Sequence, residues 1–323
     1  MAKSNVQKKI ESYKKMSRTK IIGILVILLI AMFIYIYNAT GNDTHNYSTD
    51  QNPETGYYYY HQASSGTYYY QANDLVGAQL KSQLHVIVNN GFVGINYGDV
   101  RVLLETADQT VNDPSKLWNI YDGVLVGAVW DSGVSWQREH VWPNSRLGVD
   151  DSVNNTETSI ASDAHNLRAI SPGVNQSRSN RFYSDGNGDA TTTSDGGYYP
   201  GDDHRGDVAR ILFYMATMYN GLTLTNDKDL LNNEALFYTT NGTYMGELSL
   251  LLSWHREDPV SEFEIHRNNI IYATQANRNP FIDHPEYVHL IWEGYSVQAL
   301  LEPTTTAFSD LWKASTLLWM NTF

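Results

Sequence analysis

The stretch that decides the fold is Arg138-Glu139-His140-Val141-Trp142-Pro143-Asn144-Ser145, followed by Asp163-Ala164-His165-Asn166-Leu167-Arg168 and then by Asn175. Residues 134–142 are predicted to be extended and to end at Pro143, which cannot continue a hydrogen-bonded ladder. Adjacent residues of a regular strand point to opposite faces. Glu139 and His140 can therefore serve one site only if the strand ends or bulges at this point.

These residue types suit phosphate chemistry. Oxygen atoms of Glu139 and Asn175 match the preference of Mg²⁺, and a neutral imidazole can take a proton from water near pH 7. Arginine and asparagine side chains can hold a phosphate. The sequence therefore predicts a metal-dependent phosphodiesterase, with Asn175 completing the metal shell from a helix after Pro172. Spacing alone leaves a structural role for His140 open, because a lone histidine is more often structural than catalytic.

The N-terminus predicts export. The first twenty residues hold seven basic side chains and one acid, and residues 21–37 then run for 17 residues without a charge. That length is at the lower limit of about 17 residues for a helix that spans a bilayer. We expect residues 1–20 to stay in the cytoplasm, residues 21–37 to form a single-pass signal anchor, and everything after Asn38 to lie outside the cell. A cleaved signal peptide, which would leave the protein secreted, is the alternative.

Charge and cysteine content narrow the possible functions. Seven of the 22 basic residues and one of the 35 acidic residues lie in the first twenty positions, so the remainder carries 15 and 34 and its formal charge is −19. A nucleic-acid-binding protein normally shows a basic footprint. Contact with nucleic acid would therefore be local, at the cluster Arg168, Arg178 and Arg181. The chain has no cysteine, which excludes disulfides, thiolate metal sites and a cysteine nucleophile.

Periodicity and turn signals predict an α+β fold with helices in the majority. Residues 38–56 read as a polar tether, residues 57–302 as a single domain, and residues 303–323 as a tail packed on that domain. Trp136 and Trp142 are expected in the core. Helices are predicted at residues 74–89, 97–107, 175–181, 207–220, 246–254, 258–275 and 285–292, a strand at 120–129 and a surface loop at 184–204.

The stretch from Arg138 to Ser145 resembles the signature of the bacterial endonuclease I family of ββα-metal (His-Me finger) nucleases. The resemblance continues, in the family's order, through residues 162–168, 174–182, 205–210, 254–259 and 277–285. It implies His140 as general base, and Glu139 and Asn175 as the protein ligands of one divalent metal, Mg²⁺ or alternatively Ca²⁺ or Mn²⁺. It further implies 5′-phosphorylated oligonucleotides, cut from DNA and often RNA with little sequence preference.

The arginine that clamps the phosphate is assigned to Arg178, with Arg146, Arg168 and Arg181 as alternatives, and Arg168 and Arg181 are also expected to bind substrate. The chain is expected to act as a membrane-anchored monomer that digests external nucleic acid for nutrients or during DNA uptake. Two other functions stay open at this point: a surface phosphodiesterase on another substrate, and a catalytically inactive surface binding module.

Overall fold

The computed structural model describes residues 50–149 and 154–303. All of these except Ala63–Thr67 belong to one compact unit. The predicted signal anchor, its basic flank, most of the tether and the tail beyond residue 303 lie outside the described residues. Among the described residues, no helix has the length and apolar character needed to cross a membrane.

The helices surround α4 (Arg205–Met218), in which every residue after Arg205 is buried. A helix that is apolar nearly all round is stable only inside a protein, and α4 packs against α1, α6 and α8. The other helices in the described part of the chain are α1 (Gly77–Asn89), α2 (Tyr97–Ala107), α3 (Pro172–Arg178), α5 (Lys228–Leu231), α6 (Leu248–Glu257), α7 (Glu262–Gln275), α8 (Pro280–Asp283) and α9 (Tyr287–Trp292).

The strands are short and form four small sheets within the described residues. β1 (Gln109–Thr110), β2 (Asp113–Trp118) and β3 (Leu125–Gly127) make an antiparallel sheet. β4 (Gln137–His140) and β5 (Leu167–Ile170) make an antiparallel pair. β6 (Thr191–Thr192) pairs antiparallel with β7 (Tyr198–Tyr199), and β8 (Thr223–Leu224) pairs parallel with β9 (Tyr244–Met245).

An apolar cluster supports one face of the β4–β5 pair. Leu167 and Ala169 of β5 pack in it with Trp136, and α2 contributes Val100 and Leu104. Because alternate residues of a strand share a face, the residues Arg138 and His140, which stand opposite Ala169 and Leu167, lie on the α2 side. Gln137 and Glu139 lie on the other side.

A network of buried charges lies beneath the same strands. Arg168 of β5 forms ion pairs with Asp108 at 3.3 Å and with Asp207 at 2.9 Å, and Arg267 reaches Asp108 at 2.8 Å. All four side chains are almost completely shielded from solvent. Buried charges are tolerated when they are paired and hydrogen-bonded, and here acids and arginines from distant parts of the chain neutralise one another.

The predicted α+β class and most of the helices are confirmed. Helix α2 has the predicted ends, and Trp136 and Trp142 are fully buried. The helix expected from residue 258 instead begins at Glu262, because Ser261 and Glu264 form a capping box. Such a reciprocal pair satisfies two free backbone N–H groups and fixes the start of a helix.

The strand predictions were less accurate. The strand expected at residues 120–129 covers only Leu125–Gly127, because the chain turns just before it, with φ of 76° at Tyr121 and 63° at Gly123. Strands β2 and β5 were not expected from the sequence. The helix predicted at 175–181 starts three residues earlier, at Pro172, whose fixed φ suits the first turn of a helix. The loop predicted at 184–204 contains β6 and β7.

Candidate active site

Strand β4 ends at His140, before Pro143, as the sequence predicted. Beyond His140, the N–H of Val141 donates to the carbonyl of Asn166, and the N–H of Trp142 donates to the Asn166 side chain at 2.7 Å. The Asn166 amide returns a hydrogen bond to the Trp142 carbonyl. Asn166 therefore acts as a scaffold that holds the chain in place as it leaves the strand, and the expected strand end is confirmed.

Helix α3 lies against the Glu139 face of β4. Asn175 and Arg178 are one turn apart, so their side chains leave the helix on the same side. The Asn175 amide nitrogen donates to Gln137 at 2.9 Å, and Arg178 forms an ion pair with Glu139 at 3.0 Å. Both predicted metal ligands thus belong to the interface between β4 and α3. Strands β4 and β5 and helix α3 follow one another in the order strand, strand, helix.

Glu139 is buried, and only one of its two carboxylate oxygens has a partner among the described residues. Its Oε1 atom faces the Arg178 guanidinium and accepts a hydrogen bond from the Tyr121 hydroxyl at 2.8 Å. Its Oε2 atom receives no hydrogen bond from any residue that the structure describes. Burial raises the pKa of Glu139 to about 7, although Arg178 and the Tyr121 hydrogen bond both act in the opposite direction. A carboxylate in this position gains from a further positive charge.

Two tyrosines that the sequence did not indicate complete the surroundings of Glu139. The hydroxyls of Tyr121 and Tyr183 lie 2.6 Å apart, and Tyr183 also donates to the carbonyl of Val141 at 3.0 Å. Tyr121 has a positive φ, which is uncommon for a residue with a side chain and often marks a functional site. No spacing rule connects Tyr121 or Tyr183 to Glu139, because the three meet only in the folded chain.

The histidine on the opposite face is held as a neutral base. Its Nε2 atom lies 2.8 Å from the carbonyl oxygen of Ala161. A carbonyl oxygen can only accept, so Nε2 carries the proton and Nδ1 keeps its lone pair. Burial, aided by the positive charges of Arg138 and Arg178, lowers the pKa of His140 to about 4, although the hydrogen bond to Ala161 acts in the opposite direction. The imidazole is thus neutral at pH 7 with one nitrogen able to accept a proton.

The predicted arginines have different surroundings. Arg178 is fully buried, and beyond Glu139 it donates to the carbonyls of Ser179 and Val141 at 2.8 and 2.7 Å. These contacts support a positioning role for Arg178 rather than a clamp on substrate. Arg146 is also buried and donates to three backbone carbonyls.

Arg168, which was expected to bind substrate, lies inside the protein. It is fully shielded from solvent, and its partners are Asp108 and Asp207. Arg168 therefore cannot reach a substrate phosphate in this conformation, and the prediction that it binds substrate is not supported. Arg181 is partly exposed at the end of α3, where Nη1 donates to the carbonyls of Ser177 and Arg178.

An open cleft of about 490 Å³ is lined by the predicted ligand Asn175 together with Gln137, Pro172, Gly173 and Gln176. Because the Asn175 amide nitrogen is held by Gln137, its oxygen is free to bind a cation. Glu139 Oε2 is the second available oxygen.

This donor set fits a hard divalent cation, which takes carboxylate, amide and water oxygens. Within the described residues, no group of three or more histidine or acidic side chains is arranged to hold a metal ion. The set therefore has a single carboxylate, and oxygens of water or phosphate would have to complete the shell.

Comparison with known proteins identifies the class of enzyme. A family model described as Endonuclease I matches residues 76–286. An extracellular ribonuclease of Bacillus amyloliquefaciens is 38% identical over 241 residues, which is 71% of this chain and 79% of that protein. An extracellular ribonuclease of Bacillus subtilis (strain 168) is 37% identical over 241 residues, covering 71% and 80%. An Endonuclease-1 of Buchnera aphidicola subsp. Baizongia pistaciae (strain Bp) is 26% identical over 137 residues, covering 38% and 46%.

The protein is an endonuclease. The chain belongs to the endonuclease I family, as the model matches well over half of its length. The resemblance seen in the Arg138–Ser145 stretch is confirmed.

Proposed function

We propose that the chain is a metal-dependent endonuclease of low sequence specificity that hydrolyses phosphodiester bonds in RNA and DNA and leaves 5′-phosphate ends. The observation that carries this proposal is the tautomer of His140. Its Nε2 proton is committed to the Ala161 carbonyl, so Nδ1 is available to accept a proton at the end of the strand that also carries Glu139.

In this mechanism His140 removes a proton from the attacking water at Nδ1. A pKa of about 4 in the free protein keeps the imidazole unprotonated at neutral pH. The negative charge of a bound phosphate raises the proton affinity of the ring as the reaction proceeds. General base catalysis of this kind contributes about 10²–10⁴-fold to a rate.

Glu139 and Asn175 would hold one divalent cation, Mg²⁺ or in its place Ca²⁺ or Mn²⁺, which supplies positive charge to the phosphate and the leaving oxygen. Arg178 and Tyr121 act on Glu139 rather than on substrate: both contact Oε1, so Oε2 would be the oxygen that holds the cation. Arg181, partly exposed beyond α3, would contact a phosphate next to the cleaved bond.

Hydrolysis by an activated water does not use the ribose 2′-hydroxyl, so both RNA and DNA should be cut. Two relatives are named extracellular ribonucleases, which supports RNA as one substrate and a site of action outside the cell. Residues 21–37 would anchor the enzyme domain on the outer face of the membrane, or direct its secretion if they are removed.

The test is cleavage of matched RNA and DNA strands by the purified protein, with Mg²⁺ or with EDTA. We expect both strands to be cut only with the metal, and mass spectrometry to find 5′-phosphate and 3′-hydroxyl ends. The variant His140→Ala should be about 10²–10⁴-fold slower. A matched control is His266→Ala, since His266 also bonds a backbone carbonyl through Nε2 but does so on α7. Cleavage in EDTA, or 2′,3′-cyclic phosphate products, would contradict the proposal.

A further inference from the structure

A row of stacked side chains extends from His140 on the α2 side of β4. The ring of Tyr97 lies 5.4 Å from the His140 ring, with the two planes 13° apart. The Arg138 guanidinium carbon lies 3.6 Å from the Tyr97 ring centre and 5.7 Å from that of Trp130. The Arg101 guanidinium lies 6.0 Å from the same Trp130 ring. We call Tyr97, Arg138, Trp130 and Arg101 the stacked row.

The stacked row is held in place by the protein around it. Trp130 donates its backbone N–H to Glu105 at 2.7 Å, and its ring meets Trp136 edge-on at 4.7 Å. Tyr97 and Trp130 both pack on the apolar cluster under β4 and β5. Arg138 donates to the Tyr97 carbonyl and to the Asn155 side chain. A rigid row of this kind loses little conformational entropy when a ligand binds to it.

The two arginines of the stacked row have no carboxylate partner among the described residues. The arginines and lysines that form an ion pair with a carboxylate are Arg168, Arg178, Arg205, Arg210, Lys228, Arg256, Arg267 and Arg278. Within the described residues, Arg101 and Arg138 form no such pair.

The nearby carboxylates of Glu105 and Asp131 accept hydrogen bonds from the N–H of Trp130 and from Ser135, and within the described residues neither forms an ion pair with Arg101 or Arg138. Two guanidinium groups therefore lie near one aromatic ring, and neither has a carboxylate within ion-pair distance among the described residues. In a chain of formal charge −13, this is a local site for an anion.

We propose that the stacked row binds the substrate strand on the His140 side of the site, and that this strand is single-stranded. This inference rests on the proposed nuclease function. The four side chains are all partly exposed, so the guanidinium groups can contact phosphates while a base stacks on Trp130. Aromatic and arginine faces take up bases that are splayed out of a helix, and bases paired within a duplex are not available for such contacts.

The first test is the variant Arg101→Ala, assayed on a single strand and on the matching duplex of the same sequence. We expect KM for the single strand to rise about tenfold with kcat unchanged, because one phosphate contact is lost. The slope of log KM against log salt concentration should fall by about 0.7. The duplex should be cut more slowly than the single strand by the wild type, and the variant should change duplex cleavage less.

A matched control is Lys81→Ala, which removes one cation on α1 that likewise forms no ion pair within the described residues. It should leave KM and the salt slope unchanged. An equal effect of both variants would show that only overall charge matters and would overturn the proposal.

The second test separates stacking from charge. Trp130→Phe keeps an aromatic face, whereas Trp130→Leu keeps only apolar bulk on the cluster beneath. We expect KM for the single strand to rise about fivefold or more in Trp130→Leu and much less in Trp130→Phe. The reason is that loss of one base–aromatic stack weakens binding by about fivefold or more. Equal KM values for these two variants would contradict a stacked base, and thermal unfolding of both shows whether each is folded.

The two proposals fail in different ways. If the wild type cuts neither RNA nor DNA with Mg²⁺, the proposed nuclease mechanism fails. If it cuts both, but Arg101→Ala and Trp130→Leu bind and cut single strands as the wild type does, only the stacked row is refuted. Faster cleavage of duplex than of single strand by the wild type would also refute it.

Discussion

Glu139 and Arg168 stand opposite each other on β4 and β5, yet the fold uses their charges in different ways. Arg168 turns to Asp108 and Asp207, and its charge is matched inside the protein. Glu139 receives one arginine, and one of its oxygens stays without a partner among the described residues. A balanced group of buried charges stabilises a fold, whereas a buried carboxylate with one oxygen that accepts no hydrogen bond has an atom available to a ligand. The difference separates the scaffold of this enzyme from its site.

The same contrast holds among the arginines. Arg178 is buried and fixed on Glu139 and two carbonyls, whereas Arg101 is partly exposed and forms no ion pair with the described residues. Sequence alone cannot separate them, because each is an arginine close to the catalytic segment. Their surroundings assign Arg178 to positioning and Arg101 to substrate.

The largest expected effect is on stability, in the balanced group. Arg168→Ala leaves Asp108 and Asp207 buried without this partner, and breaking a buried ion pair costs about 3–5 kcal/mol. Urea denaturation should show that loss in the free energy of unfolding, while Arg181→Ala, at a partly exposed position, should change it by less than about 1 kcal/mol. If Arg168→Ala kept wild-type stability and lost affinity for nucleic acid, Arg168 would be a substrate contact and the comparison would fail.

The next effect is on activity, at Glu139. Glu139→Gln keeps the shape of the side chain and removes the charge that would attract a cation. Since loss of an outer partner of a metal ligand already costs about 10–100-fold, loss of the ligand should reduce the rate by more than about 100-fold. Initial rates over a series of Mg²⁺ concentrations measure this, with urea denaturation as a check on folding. An unchanged rate at every concentration would show that Glu139 is not a ligand.

A smaller effect tests the support of Glu139. Tyr121→Phe removes the hydroxyl that bonds Oε1 and should lower the rate about tenfold, with a loss of about 1 kcal/mol in stability. Tyr198→Phe is the matched control, because its ring lies 5.3 Å from that of Tyr121 without a hydrogen bond to Glu139. Equal rates in the two variants would mean that the Tyr121 hydroxyl has no part in positioning the carboxylate.

Local signals predicted those parts of the fold that local chemistry controls. Helix α2 has its predicted ends because Asn96 caps its start through the N–H of Asp99. Strand β5 gave no such signal, since a charged Arg168 sits in a fully buried strand. Its burial depends on Asp108 and Asp207, which lie about 60 and 40 residues away in sequence. A short segment of sequence around Arg168 contains neither Asp108 nor Asp207, so the ion pairs cannot be predicted from it.

The candidate site divides in the same way. Glu139, His140 and Asn175 could be predicted as site residues because the residues around them form a recognisable pattern. Tyr121, Tyr183 and the Ala161 carbonyl were missed, since they reach the site through contacts between distant segments. Arg168, which was expected from the sequence to bind substrate, is buried in the structure. The sequence gives no sign of this, because the burial depends on acidic partners from distant segments.

The most direct test of the central claim, that His140 and its neighbours activate a water molecule, is cleavage in water enriched in ¹⁸O. RNA and DNA strands would be cut with Mg²⁺, and the fragments analysed by mass spectrometry. The account predicts one ¹⁸O atom on the new 5′-phosphate of both RNA and DNA fragments, and none on the 3′-hydroxyl. RNA fragments that end in a 2′,3′-cyclic phosphate without the isotope, with DNA left intact, would contradict it.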